Sequence, residues 1–262
     1  MKTVESTQPA APYVGGKRLL AKTVIHKIDS IKHTTYAEPF VGMGGVFLRR
    51  TNKPVSEVIN DYSRDVANFF RVLQRHYVAF LDMLRFQITT RTEFERLINT
   101  NPDTLTDLER AARFLYLQRT SFGGKVSGRV FGVAADRPGR FDITKLGPIL
   151  EDLHTRLSGV VIECLHFASF IERYDRAGTL FYIDPPYWGT ENYYGKELFS
   201  RDEFSDLSDQ LSQIQGKFIL SLNDVPEVRE IFKGFNIESV QTKYLVGSKS
   251  TSIAQEVLIS NW

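Results

Sequence analysis

Short apolar runs alternate along this chain with stretches of helical periodicity, and no other feature restricts its fold as much. Strand patterns occupy residues 34–37, 55–59, 160–163, 181–184 and 217–222, and a closing pair of strands is expected within 237–260. Apolar residues at helical spacing lie between these runs, as in Leu20, Val24 and Ile28. Strands that alternate with helices favour a mostly parallel sheet. We therefore predict an α/β fold.

The middle of the chain breaks this alternation. Between residues 66 and 149 apolar residues recur at helical spacing, and a helix is expected from about 107 to 119. A stretch rich in glycine and arginine follows, from 120 to 140. We interpret residues 66–149 as a helical subdomain with a flexible arm, inserted into one α/β domain made of residues 1–65 and 150–262.

The single cysteine and the polar amino-terminal segment limit the setting in which the chain works. One cysteine cannot form an internal disulfide, which favours a reducing, cytoplasmic compartment. The apolar neighbours of Cys164 predict a buried structural thiol. Residues 1–8 are polar, so no signal peptide is expected, and no apolar run approaches the ~18 residues of a membrane span. The histidine and cysteine spacings predict no metal site.

An acid, two prolines and an aromatic residue form the most informative motif of the chain. Asp184, Pro185, Pro186 and Tyr187 follow a predicted strand at its carboxyl end, where ligands bind in open α/β sheets. The prolines remove two backbone donors and fix φ, so the loop is stiff and presents one carboxylate, free carbonyls and an aromatic face. These groups suit an NH2 group on a planar ring. Alone, the four residues fit an ordinary turn as well.

A glycine loop, residues 38–45, follows the first strand and is expected to open a helix that contains Val46, Phe47 and Leu48. Gly42 and Gly44 allow a sharp turn and a close approach to a ligand. Asp61 ends the next strand, 19 residues after Gly42, where an acid can hydrogen-bond a ribose diol. The loop lacks the third glycine of dinucleotide-binding loops, and the chain has no Gly-Lys-Ser/Thr phosphate cradle. A nucleoside with little or no phosphate is therefore favoured over NAD or ATP.

Several segments together resemble the alpha group of amino methyltransferases, the Dam-like DNA adenine methyltransferases. The matching segments are, in chain order, residues 13–17 (YVGGK), 38–44 (EPFVGMG), 60–61 (ND), 184–187 (DPPY), 220–224 (LSLND) and 256–261 (EVLISN). A cofactor loop, then a target-recognition insertion, then the catalytic loop is the order of the alpha group. The resemblance covers nearly the whole chain. It implies a Rossmann-like class I methyltransferase sheet with an inserted helical target-recognition subdomain.

The resemblance also implies a reaction, a cofactor and a set of site residues. S-adenosylmethionine would donate a methyl group to the exocyclic N6 amine of an adenine flipped out of the duplex, leaving S-adenosylhomocysteine, with no metal involved. Asp184 and the carbonyl of Pro185 would accept the two amine hydrogens. Tyr187 would stack on the base, with Phe199 as a second stacking wall. The implied catalytic residues are Asp184, Pro185, Pro186 and Tyr187. The implied cofactor-binding residues are Tyr13, Lys17, Glu38, Pro39, Phe40, Gly42, Gly44, Asp61, His166, Phe167 and Asp184.

Basic charge is concentrated in the inserted segment, which together with the resemblance makes double-stranded DNA the expected partner. Residues 64–150 carry 14 Lys and Arg against 9 Asp and Glu, a net charge of +5, whereas the whole chain carries +2. The arm is rich in glycine, and Phe122, Phe131 and Phe141 interleave or flank its charges. Such an arm can grip phosphates, probe base edges and wedge an apolar side chain into the base stack. The predicted DNA-binding residues are Arg119, Lys125, Arg129, Arg137 and Arg140.

Three other readings of the sequence stay open at this point. Relatives that methylate the N4 amine of cytosine usually carry Ser where Asp184 stands, and those that methylate a protein glutamine usually carry Asn. A non-catalytic DNA-binding protein could keep the same fold as a scaffold. The arm does not reproduce the recognition segment of GATC-methylating members, so no recognition sequence is assigned. A cognate restriction endonuclease is a further candidate partner.

Overall fold

The computed structural model describes residues 2–17, 19–133, 136, 138–190, 199–246 and 250–262. Its α-helices are α1 (Ala21–Asp29), α2 (Arg64–Leu84), α3 (Arg91–Asn99), α4 (Asp107–Thr120), α5 (Ile143–Arg156), α6 (Phe167–Tyr174), α7 (Asp202–Leu211) and α8 (Pro226–Ile231). Its strands are β1 (Lys2–Thr3), β2 (Thr35–Glu38), β3 (Asn52–Lys53), β4 (Ser56–Asn60), β5 (Val161–Glu163), β6 (Thr179–Ile183), β7 (Lys217–Asn223), β8 (Asn236–Val246) and β9 (Ser250–Ser260).

Seven strands form the central sheet, in the order β5–β4–β2–β6–β7–β9–β8. The strands from β5 to β7 in this order are parallel, and β9 runs antiparallel to both β7 and β8. The predicted α/β fold with a mostly parallel sheet is confirmed. After β2 the chain builds outward on one side through β4 and β5, and then returns to the other side at β6. The carboxyl ends of β2 and β6 therefore flank a topological switch point, where open sheets bind ligands.

Helices cover both faces of the sheet, so its central strands are largely buried. Every residue of β6 is buried, as expected for a parallel strand covered on both faces. On one face Phe170 of α6, Phe204 of α7 and Val228 of α8 join the core. On the other face α1, α2 and α5 share one apolar cluster with the sheet, to which α2 contributes Phe69 and Leu73. The helical segment is thus held on the sheet by the same core, which gives the arm after α4 a firm base.

A buried ion cluster ties β4 to α5. Both oxygens of the fully buried Glu57 are used: Arg50 Nη1 lies 2.8 Å from Oε1 and Arg156 Nη1 lies 2.7 Å from Oε2. The Arg50 guanidinium also stacks on Tyr36 at 3.7 Å from the ring centroid. Because the two arginines share one carboxylate in the interior, loss of that carboxylate would leave two buried charges without their counterion.

Two local predictions are wrong. The helix expected to contain residues 46–48 is a single 3₁₀ turn, Phe47–Arg49, because the chain must turn at once to bring Arg50 into the core and enter β3. Cys164 is exposed rather than buried. It follows β5, the edge strand of the sheet, whose Val161 is itself exposed, so apolar neighbours in sequence do not enclose the thiol.

Candidate active site

The switch point brings the two sequence motifs together. Because β2 pairs with β6 in parallel, the strand ends that carry Glu38 and Asp184 lie side by side. A cavity of about 1070 Å³ opens there. Eight of the predicted site residues line it: Tyr13, Lys17, Glu38, Phe40, Gly42, Asp61, Asp184 and Pro186.

The glycine loop is shaped by two residues in the left-handed region. Gly42 has φ +49°, and a Cβ at this position would lie 3.1 Å from the ring of Tyr13. Gly44 has φ +75°, and a Cβ there would lie 2.8 Å from Cγ of Leu48. Both positions therefore require glycine for backbone conformation and for space. Tyr13 is packed directly on the loop, which explains its place in the cavity wall.

Asp61 fastens the glycine loop to the end of β4. Its Oδ2 accepts a hydrogen bond from the Gly42 amide at 2.9 Å, and its Oδ1 accepts one from the Ser63 amide at 2.9 Å. Burial raises the pKa of Asp61 to about 6, against the opposing effect of these two amides. The carboxylate is therefore ionised at neutral pH and lines the cavity as an acceptor.

Asn60, beside Asp61, connects three strand ends. Its amide nitrogen donates to the carbonyl of Pro39 at 2.8 Å and to that of Leu165 at 3.0 Å, and its Oδ1 accepts from the Leu165 amide at 2.8 Å. Pro39 thus acts through its main chain. Asn60 therefore has a structural role, whereas Asp61 faces the cavity.

Glu38 is a buried carboxyl at the head of the cavity. The Tyr36 hydroxyl donates to its Oε2 at 2.6 Å. Burial raises the pKa of Glu38 to about 8, and the neighbouring Asp184 charge adds to this shift. In the free protein at neutral pH the group is therefore mostly protonated, although it stands where the sequence predicts a cofactor contact.

Three phenylalanines pack below the cavity. The ring centroids of Phe40, Phe167 and Phe199 lie 5.6–5.7 Å apart. Phe40 is half-buried and reaches the cavity, whereas Phe167 and Phe199 are 3% and 1% exposed and support it from behind. The expectation that Phe199 forms a second stacking wall is therefore wrong, because its ring is enclosed by the core.

His166 stands at the start of α6. Its Nδ1 accepts from the Ala168 amide at 3.4 Å, and its Nε2 lies 2.7 Å from Glu203 Oε1. With Nδ1 accepting, the proton is on Nε2 and is donated to Glu203. The imidazole thereby joins α6 to α7.

Asp184 lies at the centre of a polar cluster. Its Oδ1 is 2.8 Å from the ammonium nitrogen of Lys17 and accepts a hydrogen bond from the Ser221 hydroxyl at 3.0 Å. Burial raises the pKa of Asp184, and the Lys17 charge opposes the rise most strongly. Lys17, only 3% exposed, thereby helps to keep the carboxyl in its ionised, accepting form.

Tyr187 joins the same cluster through its hydroxyl. Lys17 Nζ donates to the hydroxyl oxygen, and the hydroxyl donates to Oε2 of Glu256. Lys17 Nζ also lies 4.0 Å from the Tyr187 ring centroid and 3.6 Å from Glu256 Oε2. Burial holds the pKa of Tyr187 well above its usual value. The sequence analysis missed Glu256 and Ser221 as site residues, although an acid opening an otherwise apolar strand segment is a signal for Glu256.

The predicted DNA-binding cations of the arm differ in how far their nitrogen donors are already bonded within the protein. Arg119 donates to the carbonyls of Arg140 and Ala10, and Arg140 donates to the carbonyl of Ser121. Arg129, half-buried, donates to the Lys125 carbonyl and to the Gln118 side chain. Lys125 itself is exposed. Arg137 lies outside the described residues.

The aromatic residues of the arm do not all interleave its charges at the surface. Phe141 is buried near Tyr116, and Phe131 packs on Phe94 at 5.3 Å between centroids. Phe122 is 62% exposed. Two of the three rings thus anchor the arm, and Phe122 remains on its surface.

The base of the arm is hydrogen-bonded to residues 12–17, the amino-terminal loop that carries Lys17. Gln118 Nε2 donates to the Pro12 carbonyl at 2.8 Å and to the Gly124 carbonyl at 2.6 Å. The Val14 amide donates to the same Gly124 carbonyl at 3.2 Å. The loop that carries Lys17 is therefore continuous, by hydrogen bonds, with the segment that carries Lys125.

These features are typical of a Rossmann-like methyltransferase: a strand-end cavity, a glycine loop, an acid after the next strand and an Asp-Pro-Pro-Tyr loop. The chain matches the family described as D12 class N6 adenine-specific DNA methyltransferase over residues 13–246, and it belongs to that family. The predicted Rossmann-like methyltransferase sheet and the predicted family are confirmed.

Individual relatives agree with this assignment. The chain is 26% identical to the Type II methyltransferase M1.LlaDCHI of Lactococcus lactis subsp. cremoris, covering 97% of this chain and 95% of that protein. It is 23% identical to the Type II methyltransferase M.CviBI of Paramecium bursaria Chlorella virus NC1A, over 95% and 96% of the two chains. It is 30% identical to the DNA N-6-adenine-methyltransferase of Escherichia phage P1, over 94% of this chain and 34% of that longer protein.

Metal-binding clusters and membrane-spanning helices are both absent from the part of the chain that the structure describes. Within the described ranges, no group of three or more His, Cys, Asp and Glu side chains could hold a metal ion. In the same part of the chain, no helix is long and apolar enough to cross a lipid bilayer.

Proposed function

We propose that this protein methylates the N6 amine of a specific adenine in double-stranded DNA, with S-adenosylmethionine as the methyl donor. The proposal rests on one observation. The pairing of β2 with β6 brings Asp184 and the glycine loop to the same switch point, where both line one cavity. Its place of work is then the compartment that holds the DNA. Double-stranded DNA is the partner, together with a restriction endonuclease of the same specificity where the enzyme protects a host from cleavage.

The cavity suits the cofactor. Asp61 offers a half-buried, ionised carboxylate that can accept from a ribose diol, and Phe40 offers an aromatic surface for an adenine ring. Gly42 lines the cavity without a side chain, so a ligand can approach the main chain of the loop closely. The residues proposed to hold it are Tyr13, Lys17, Glu38, Phe40, Gly42 and Asp61. Pro39, Gly44, His166 and Phe167 are proposed to act indirectly, by shaping the walls. When bound, S-adenosylmethionine supplies an electrophilic methyl group on a sulfonium.

Asp184 and Pro185 are proposed to activate the target amine. The lone pair of the amine is delocalised into the adenine ring, so the nitrogen is a weak nucleophile. A carboxylate and a main-chain carbonyl that accept its two hydrogens favour the tetrahedral geometry in which the lone pair is available. As the new N–C bond forms, positive charge grows on the nitrogen, and the fixed charge of Asp184 stabilises it. The surplus proton leaves from that nitrogen through the carboxylate to water.

Tyr187 is proposed to stack on the flipped base. A base inside a duplex cannot reach a cavity between strand ends, so the adenine must be rotated out of the stack. Pro185 and Pro186 keep the loop stiff, which fixes the ring relative to Asp184. A fixed arrangement of acceptor and ring selects a planar base with an exocyclic amine.

Residues 66–149 are proposed to form the target-recognition subdomain on the catalytic domain of residues 1–65 and 150–262. Lys125 is exposed and is the arm cation best placed to contact phosphate. Arg129 and Arg140 are proposed to contact DNA through guanidinium N–H groups other than those bonded within the protein. That Arg137 binds DNA remains a prediction. Arg119 is proposed to support the arm, because its guanidinium is engaged with two carbonyls.

The test is expression in a bacterial host without DNA methylation, followed by single-molecule sequencing of the host genome. We expect N6-methyladenine in one defined sequence context. The matched control is Asp184→Asn, which keeps the size of the side chain and removes its charge, and it should lower the rate by about 10²–10³-fold. A mark on cytosine, or a genome without any mark beside full cofactor binding in calorimetry, would refute the proposal.

A further inference from the structure

Glu256 belongs to the polar cluster around Asp184, Lys17 and Tyr187, although the reaction proposed above does not use it. It stands on β9 opposite Asn223 of β7, and 1% of its surface is exposed. A carboxylate loses its hydration when it is buried. This costs free energy unless polar partners replace the water. Its partners include the Tyr187 hydroxyl and the Lys17 ammonium. Both belong to the polar cluster around Asp184, so this carboxylate is in direct contact with residues of the proposed reaction.

Lys17 stands where the target amine has to go. Its Nζ lies 2.8 Å from Asp184 Oδ1 and 4.0 Å from the centroid of the Tyr187 ring. The ammonium lies on the Oδ1 side of the carboxylate and beside the hydroxyl of the ring, so a base that stacks on this ring and donates to Oδ1 needs the same space. The ammonium must therefore move before the target amine can bind Oδ1. A second carboxylate, that of Glu256, has its Oε2 3.6 Å from the same nitrogen.

We propose that Glu256 is a positioning residue for methyl transfer, which receives the Lys17 ammonium when the target amine takes its place on Asp184. This inference rests on the function proposed above. Once Lys17 pairs with Glu256, the two charges neutralise each other, and the nitrogen on which positive charge develops replaces the ammonium as the cation beside Asp184. Without a carboxylate at 256, the ammonium stays on Asp184, where it blocks the acceptor and cancels its charge.

Glu256 also fixes the ring on which the base stacks. The Tyr187 hydroxyl donates to Glu256 at the edge of the ring farthest from the main chain. The ring is then held at both ends, by its own backbone and by this hydrogen bond. The orientation of the stacking face is set before the base arrives, which lowers the entropy cost of reaching the reactive arrangement.

Glu256→Gln tests the proposal, because it keeps the size of the side chain and removes its charge. The measurement is the single-turnover rate of methyl transfer at saturating cofactor, on a duplex that carries the recognition sequence found by genome sequencing. We expect a loss of at least tenfold, with the Kd for S-adenosylmethionine within twofold of wild type and the Tm unchanged. Adding Lys17→Met to Glu256→Gln should recover at least threefold of that loss, since no ammonium then remains on Asp184.

The outcomes separate the inference from the function on which it rests. A rate for Glu256→Gln within twofold of wild type overturns the proposal, and a double variant no faster than the single one overturns the movement of Lys17 onto Glu256. If Glu256→Gln does not fold, Glu256→Asp keeps the charge with a shorter reach and should reduce the rate; an unchanged rate there overturns the role in holding Tyr187. A wild-type protein that transfers no methyl group to adenine refutes the proposed function itself, and the inference falls with it.

Discussion

Cofactor binding should release a proton from Glu38. The pKa of this buried carboxyl is about 8 in the free protein, mainly because burial disfavours its charge. At pH 7 roughly ten molecules are therefore protonated for each one that is ionised. S-adenosylmethionine carries one net positive charge, and a cation in the cavity that Glu38 lines favours the carboxylate. If the pKa of Glu38 falls to about 6 in the complex, binding at pH 7 releases ~0.8 proton, and the shift corresponds to about 2.7 kcal/mol of favourable interaction.

Titration calorimetry measures this directly. Binding enthalpies at pH 7 in phosphate and in Tris differ by the number of protons released times the difference in buffer ionisation enthalpy. The affinity should also rise with pH, by about sixfold between pH 6.5 and 7.5, and level off above 8 as Glu38 becomes ionised in the free protein. Glu38→Gln is the matched control, and it should bind without proton exchange in this range. Wild-type binding with the same enthalpy in both buffers would refute the reasoning.

Three further perturbations test other parts of the structure. The Kd for S-adenosylmethionine should rise as pH falls below about 6, since Asp61 then takes up a proton and loses acceptor capacity; calorimetry from pH 5 to 7 in the Glu38→Gln background, where Glu38 no longer titrates, checks this, and adding Asp61→Asn should abolish the dependence that remains. Lys125→Ala should weaken DNA binding and reduce the slope of log K against log salt by about one, measured by fluorescence anisotropy; an unchanged slope would place this lysine off the phosphates. Glu57→Gln should destabilise the fold by about 3–5 kcal/mol in urea unfolding, because Arg50 and Arg156 lose their buried counterion, and a loss below about 1 kcal/mol would contradict the importance of that cluster.

Features that depend on local sequence are the ones that sequence analysis predicts well. Helix α4 begins at a capping box formed by Thr106 and Glu109, so its start follows from the chain itself, and the expected helix of about 107–119 agrees with the observed Asp107–Thr120. Asp61 and Asp184 are likewise placed correctly, because each ends an apolar strand and parallel strands end at one edge of a sheet.

Features that depend on which strands become neighbours are not predictable in this way. The pairing of Lys17 with Asp184 and Glu256 joins three distant parts of the chain, and it exists only because β9 inserts beside β7. The burial of Phe199 and the exposure of Cys164 have the same origin, since one lies under the sheet and the other follows its edge strand. Local hydrophobicity gives no information on either.

The side chain of Gln118 has a consequence for how the protein responds to its two ligands. It connects the carbonyl of Pro12, which precedes the Lys17 loop, to the carbonyl of Gly124 at the base of the arm. If the arm binds DNA and this loop binds the cofactor, as proposed above, a rearrangement of the arm should also move the loop, because the Val14 amide donates to the same Gly124 carbonyl. By thermodynamic reciprocity, the free energy that DNA contributes to ordering the loop would then appear in equal amount as tighter cofactor binding, and the cofactor would strengthen DNA binding by the same factor. These few hydrogen bonds predict a protein that responds most strongly when target and methyl donor are present together.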